Sequence, residues 1–175
     1  FHDWDLKTNI EGLYATGDQL YASDCCGFAA ATGYYAGRKA AAACRDLTLE
    51  CLDRTDVDRE KERLYAPLFV KDGMDWRELN KAVSKAMQNY CGGVKNDMLL
   101  TQGLELLESY EREYVPALSC SNPHELMRAH EVMDILEVCK LIINSCLLRR
   151  SSSVPLCFER SDYPQTDPEE DRCFI

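Results

Sequence analysis

The sequence has no apolar run approaching the roughly 20 residues that a bilayer-spanning helix needs. Its best candidate, residues 141–148, is short and is broken by Asn144 and Ser145, so no direct membrane span is expected. It also has no excess of positive charge. Lys and Arg number 20 against 30 Asp and Glu, a formal net charge of −10. A surface that acidic repels phosphate backbones, so no nucleic acid partner is expected and the charge reads as a solvated exterior. Nor does any pair of the ten cysteines have the C-x-x-C spacing that chelates zinc or iron–sulfur clusters, and no metal site is expected. Cys139 and Cys146 fall at apolar helix positions, where a thiol behaves as a small hydrophobe. That usage fits a reducing cytoplasm better than a disulfide framework. Finally, there is no initiator methionine and no signal peptide. The opening, Phe1-His2-Asp3-Trp4, suggests a chain that starts inside a longer polypeptide.

What is present divides in two. Hydrophobic residues make up 46% of the 175, enough for a core. Residues 10–16 form a short apolar run followed by Gly17-Asp18, which predicts a buried strand ending in a tight turn. Residues 27–44 are rich in Ala and Gly and predict a helix of small side chains, able to pack close to a sheet or a ligand. Strand, loop and small-residue helix make half of a Rossmann-like unit without companion strands. Residues 53–63 are strongly charged and predict a solvated helix or linker. With Pro67 and Gly73 as punctuation, the boundary is placed near residue 70, giving segments 1–70 and 71–175.

The second segment is helical in pattern. Asp75 caps a first helix, with Glu78 at the capping-box position and Leu79, Val83, Ala86, Met87 and Tyr90 on one face. Gly92-Gly93 is expected to end it. A second helix is expected from about Asp97 to Leu118, with Leu100, Leu104, Leu107, Tyr110 and Tyr114 inward. A third begins at Asn122-Pro123 and carries an apolar stripe through Leu126, Ala129, Met133, Leu136, Cys139, Ile143 and Leu147 to Arg149 and Arg150. Short turns between them predict an up-down-up bundle. In the tail, residues 154–175, Pro155, Pro164 and Pro168 exclude a helix through most of the length. Leu156, Phe158 and Phe174-Ile175 then read as extended pieces lying on something larger. His124 and His130 on the third helix receive no ligand role.

The chemistry-bearing motif is Gly12-Leu13-Tyr14-Ala15-Thr16-Gly17-Asp18. A glycine lets backbone approach a ligand, and a carboxylate after it can accept hydrogen bonds from polyol hydroxyls. By residue chemistry alone, a plain structural turn is the other reading. The motif resembles the second FAD fingerprint of many flavoproteins, in which the acid binds the ribityl chain. Its spacing to Gly37-Arg38-Lys39-Ala40-Ala41 resembles the fumarate reductase / succinate dehydrogenase flavoprotein family. So do residues 76–92, 122–143 and 158–171, which include the terminal Arg160-Ser161-Asp162-Tyr163-Pro164. Within the family the sequence is most similar to adenylylsulfate reductase alpha subunits.

This resemblance implies a mainly α chain: a fragment of an FAD-binding α/β domain, then a three-helix bundle and an extended tail. It implies FAD as cofactor, with Gly17, Asp18, Phe28, Ala29 and Ala30 against the ribityl chain and the ring. It implies that the partners are the remaining N-terminal FAD-binding and capping domains and an iron–sulfur electron-transfer subunit. It also implies that Arg160 and Asp162 pin the tail to the FAD domain.

The departures are as informative. The family's dicarboxylate-clamping His and Arg have no counterpart in Gln19–Gly27, so fumarate and succinate are not expected as substrates. Cys26 falls near the position where adenylylsulfate reductases carry a His, and Ser151-Ser152-Ser153 replaces the family's Glu-Ser-Arg. Catalytic residues stay unassigned. Cys25 and Cys26 have two readings, as thiols activated at a helix N-terminus beside the flavin or as small residues in a crowded turn. Tyr21 and Asp24 are read as exposed loop residues or polar substrate contacts. Three functions follow: a flavin oxidoreductase, a subunit passing electrons to an iron–sulfur protein, and a non-catalytic helical docking module. An FAD-dependent enzyme of which this portion is inactive alone is the leading one.

Overall fold

The computed structural model describes residues 2–20, 25–48 and 51–169. Cys25 and Asp46 are described only in their backbone, and Tyr21, Asp24 and Phe174-Ile175 lie outside the described residues. Two compact units are present, Phe1–Cys51 with Pro168–Ile175, and Leu52–Asp167. This division by contacts falls ahead of the boundary near residue 70 expected from composition.

In the first unit the apolar run 10–16 does not form a strand. It makes only isolated antiparallel bridges, Lys7 with Tyr14 and His2 with Thr8, and Ile10 and Leu13 are exposed. A strand needs a run of partners for its N–H and C=O groups, and among the described residues of this unit the run finds as backbone partners only these bridges and a turn contact from Leu13 N to Ile10 O. Gly12 and Gly17 take φ of +80° and +68°, the left-handed region that turns the chain twice within six residues. Gly17–Leu20 then forms a 3₁₀ turn, and helix α1 follows at Cys25–Ala43. As anticipated, α1 is built of small residues. Among its described side chains only Ala36 is buried.

The second unit opens with α2, Arg54–Tyr65, capped by Asp53 and without a buried residue, as its charge predicts. Ion pairs such as Arg63–Glu60 lie along it. Its C-terminal end is held where the His130 Nε2–H donates to Leu64 O at 2.8 Å and Cys120 N donates to Pro67 O at 2.9 Å. His130 is thus an interhelix contact.

Three helices then form the core: α3 at Trp76–Tyr90, α4 at Asp97–Glu113 and α5 at Pro123–Leu148. Each begins at a side-chain cap, which satisfies an otherwise orphaned backbone donor. Asp75 accepts from Arg77 N at 2.7 Å, Asn96 from Leu99 N at 2.9 Å and Asn122 from Glu125 N at 3.0 Å. Glu125 also reaches back to Ser121 N at 2.8 Å.

The buried stripes are Leu79, Val83 and Ala86 on α3, Leu100, Gly103 and Leu107 on α4, and Ala129, Val132, Leu136, Cys139, Ile143 and Cys146 on α5. Steps of three and four keep each stripe on one face. At the α5 stripe Val132 and Cys146 are buried as well, while the expected Leu126, Met133 and Leu147 are partly so. The three helices meet at Gly103. A Cβ there would lie 2.6 Å from Tyr90 Cβ and 3.3 Å from Ile143 Cδ1.

α3 stops at Tyr90 with Cys91 as its cap, and Gly92-Gly93 follow directly, as expected of the residues that end it. The end of α4 differs from expectation. α4 stops at Glu113, and Val115–Ala117 forms a 3₁₀ turn with Pro116 inside it. Proline disfavours the α conformation in the residue before it, which ends the helix short of Leu118. The tail folds back as a parallel two-residue pair, β1 at Val94–Lys95 with β2 at Glu159–Arg160. Phe158 packs against the core, as an extended piece lying on the bundle should.

Candidate functional site

The corner around Gly17 is set by one side chain that sequence reading overlooked. Gly17 N donates to Thr32 Oγ1 at 3.0 Å, and Thr32 Oγ1 donates to Phe28 O at 2.8 Å. Threonine in a helix often bonds back to the carbonyl four residues earlier, so a lone Thr in the Ala/Gly run was the available signal. Here the hydroxyl also receives the turn, tying it to α1. The close approach requires glycine: a Cβ at Gly17 would sit 3.6 Å from Ala29 Cβ, and the φ is left-handed. Gly17 is buried as a result.

Around this contact the residues predicted for a site fall as follows. Gly17 and Ala29 are neighbours across the turn. Asp18 follows in the 3₁₀ turn with its side chain exposed, Phe28 is half-buried, and Ala29 and Ala30 are exposed. No acidic side chain occupies the first turn of α1. The corner thus combines an exposed carboxylate, a backbone that can be approached closely, and a helix whose first turn, among the described residues, carries no acidic side chain. Such a start favours an anion or a partly negative ring edge. Cys26 is exposed with a free thiol, and the side chain of Cys25 is outside the described residues.

A second polar cluster in the same unit went unforeseen. Asp5 pairs with Lys39 at 2.7 Å and accepts from Tyr35 Oη at 3.1 Å. These two hydrogen bonds, that from Lys39 first, hold the Asp5 carboxyl below its ordinary range, and the same contact raises the Lys39 ammonium. Both groups are exposed to solvent, and the cluster ties the N-terminal turn to α1.

The terminal motif does something other than expected. Arg160 is fully buried, and its five N–H groups meet five acceptors. Nη1 donates to Cys146 O at 2.5 Å and to Arg149 O at 2.9 Å; Nη2 donates to Asp97 Oδ1 at 2.5 Å and to Asp162 Oδ2 at 2.8 Å; Nε donates to Asp162 Oδ1 at 2.9 Å. The Tyr163 ring lies under the guanidinium at 5.0 Å. Arg160 and Asp162 therefore pin the tail to the helical bundle, where the resemblance had implied an FAD-binding domain. The reason is that the carbonyls at the end of α5 are unmet acceptors and the Asp97 carboxylate stands at the start of α4, and a guanidinium fork reaches both. Asp162 also accepts from Asp97 N at 2.7 Å. Arg160 holds the Asp162 carboxyl well below the usual carboxylate range. Ser152 completes the knot: it accepts from Arg160 N and donates to Tyr163 O, each at 2.9 Å. The Ser151-Ser152-Ser153 run is thus built into the tail fold, with Ser151 and Ser153 buried.

No metal-holding group of three or more His, Cys, Asp or Glu side chains occurs among the described residues. No helix among them is long and apolar enough to cross a membrane.

A three-helix bundle closed by a buried Arg-x-Asp-Tyr-Pro knot defines the class. Residues 80–173 match the family described as the fumarate reductase flavoprotein C-terminus, more than half of the 175-residue chain. The chain belongs to that family, as the C-terminal fragment of a flavoprotein of the fumarate reductase / succinate dehydrogenase type.

Solved structures share the fold. Adenylylsulfate reductase from Archaeoglobus fulgidus aligns with a TM-score of 0.72 at 22% identity, over 82% of this chain and 26% of that one. An E. coli quinol fumarate reductase FrdA variant aligns with a TM-score of 0.78 at 19% identity, over 95% of this chain and 31% of that one. The Mycobacterium smegmatis Sdh1 complex aligns with a TM-score of 0.67 at 20% identity, over 77% of this chain and 23% of that one. The chain spans less than a third of the length of each. No curated protein matches the sequence.

Proposed function

We propose that this chain is the C-terminal portion of an FAD-dependent oxidoreductase, residues 1–70 completing the FAD-binding domain and 71–175 forming a structural helical domain. The observation that carries the reading is the Gly17–Thr32–Phe28 hydrogen-bond chain, with its exposed Asp18 carboxylate and small α1 side chains on one corner. In this reading Asp18 accepts hydrogen bonds from the ribityl hydroxyls. Gly17 keeps the turn close to α1. Phe28, Ala29 and Ala30 line the ring, and the α1 N–H groups favour negative charge on it. Bound flavin supplies hydride or electron transfer, while this chain supplies position and electrostatics.

The rest of the flavoprotein is the obligatory partner, because the ADP half of FAD has no Gly-rich fingerprint here to hold it. An iron–sulfur electron-transfer subunit is the further partner that the family resemblance suggests. Dicarboxylate reduction is not part of the proposal, since Gln19–Gly27 offers no His or Arg to anchor a dianion.

The test is FAD retention in the complete protein. Asp18→Ala is expected to lose flavin on gel filtration, while Asp18→Glu retains more of it. Wild-type retention in Asp18→Ala would remove Asp18 from the site. The 175-residue chain alone is expected to purify colourless, and a stoichiometric yellow complex from it would contradict the division of labour.

A further inference from the structure

The helical bundle holds a pair of thiols to which the proposed flavin chemistry gives no role. Cys91 and Cys146 place their sulfurs 4.0 Å apart without a bond between them. Cys91 caps the C-terminal end of α3 and is half-buried, so a small reagent can reach it. Cys146 is buried in the last turn of α5.

The two sit on unequal footings. Cys146 has its own carbonyl held by the buried Arg160 fork at 2.5 Å, which fixes it in place. Cys91 has left the helix, with φ −122° and ψ 39°, and Gly92-Gly93 follow it. A Cβ at Gly92 would meet Gln88 O at 3.3 Å, whereas one at Gly93 would meet nothing, so open space begins two residues past Cys91. Sulfurs in contact need to close to about 2.05 Å for a disulfide, with freedom to set the torsion about the new bond. Cys91 can supply that movement while Cys146 stays still.

We propose that Cys91 and Cys146 are a redox-active dithiol that a peroxide oxidises to a disulfide joining the end of α3 to the last turn of α5. In the first step the Cys91 thiolate attacks one peroxide oxygen. An S–O bond forms, the O–O bond breaks, and the departing hydroxide takes a proton to leave as water. In the second step the Cys146 sulfur attacks the Cys91 sulfenic sulfur. The S–S bond forms, the S–O bond breaks, and the Cys146 proton leaves with the hydroxide as a second water. Two thiols lose two hydrogens and the peroxide is reduced to two waters.

The surroundings favour this order. Either sulfur can donate in this contact, but a thiolate at Cys91 accepts from Cys146, and this bond, with Lys95 from β1 nearby, brings the Cys91 thiol down to about 7. The same bond, then burial, pushes the Cys146 thiol up, with Lys95 and Arg160 opposing. Cys139 on α5 also feels Cys91, but burial raises its thiol and it is sealed in the core. Cys91 is therefore the attacking sulfur and Cys146 the resolving one.

The test uses the whole chain. It is treated with one equivalent of hydrogen peroxide, its remaining thiols are alkylated, and it is digested with trypsin without reduction. Peptides 86–95 and 141–149 each carry one cysteine, Cys91 and Cys146. The expected product is their cross-linked pair, two hydrogens lighter than the sum, dominant over other pairings and released by dithiothreitol. Cys146→Ala is expected to abolish the link and leave Cys91 as a sulfenic acid captured by dimedone, whereas Cys139→Ala leaves the link intact. Alkylation of Cys91 in the untreated chain is expected to reach half its maximal rate near pH 7. A random spread of cross-links, or Cys91 oxidised past the sulfenic stage while Cys146 remains alkylatable, would overturn the proposal. The wild-type link and pH profile decide it even where a variant fails to fold.

Discussion

The two units of this chain solve the burial problem in opposite ways. Leu52–Asp167 closes on itself: α3, α4 and α5 turn one stripe each inward, and even the charged Arg160 is buried with its donors met. The unit that contains α1 hardly closes at all. Trp4 is 93% and Tyr34 70% exposed, and among its described residues Gly17 and Ala36 are the buried ones. A helix of small residues buries little area by itself, and a 3₁₀ turn cannot replace a sheet. The bundle therefore owes its fold to its own sequence, while the corner at Gly17 presents a surface whose use depends on what covers it.

That contrast is open to breaking. The largest effect is expected from Arg160→Met, which leaves the α5 carbonyls, Asp97 and Asp162 without their shared donor. Loss of one partner from a buried ionic network costs about 3–5 kcal/mol, read from urea unfolding followed at the helical signal. Wild-type stability would mean that the knot is a passenger of the bundle. Gly103→Ala comes next. Its methyl would meet Tyr90 and Ile143, and overpacking of a tight crossing costs about 1–3 kcal/mol, more than the helix propensity gained.

In the other unit, Asp18→Ala in the complete protein is expected to weaken FAD retention by about 1–3 kcal/mol, the cost of a lost buried hydrogen bond. The same change should leave the unfolding of the 175-residue chain untouched, and a drop there would make Asp18 structural. Acid distinguishes the units further. The Asp162 carboxyl is depressed in the folded state, so its contribution is present above the ordinary value of about 3.9 and is lost as pH falls below it. Thermal midpoints measured across that range should fall less in Asp162→Asn than in the wild type. The smallest effect belongs to Asp5→Asn. Asp5 is depressed in the same direction, yet its pair with Lys39 is exposed and screened, so salt titration of the wild type and the variant should coincide.

The helices were legible because each carried two independent signals, a cap and a stripe. Asp75 and Asn122 marked two of the starts, the Asn96 cap emerged only in the structure, and steps of three and four fix the inward faces. The apolar run 10–16 carried only hydrophobicity, which does not say whether a partner strand exists, and the strand expected there is absent. Arg160 was recognisable as a motif, but its destination was not. A guanidinium fork is satisfied by carbonyls and carboxylates distant in sequence, here from residues 97 and 146. Thr32 escaped notice because its role exists only once Gly17 has turned back onto α1.

The sequence by itself determined the local choices: where helices start, which faces turn inward, and that α2 stays solvated. These rest on backbone sterics and side-chain periodicity within a few residues. Tertiary structure alone decided which distant groups meet: Arg160 with the ends of α4 and α5, Thr32 with the Gly17 turn, and Cys91 with Cys146. Such meetings depend on how packed helices bring remote segments together, and no local pattern encodes them.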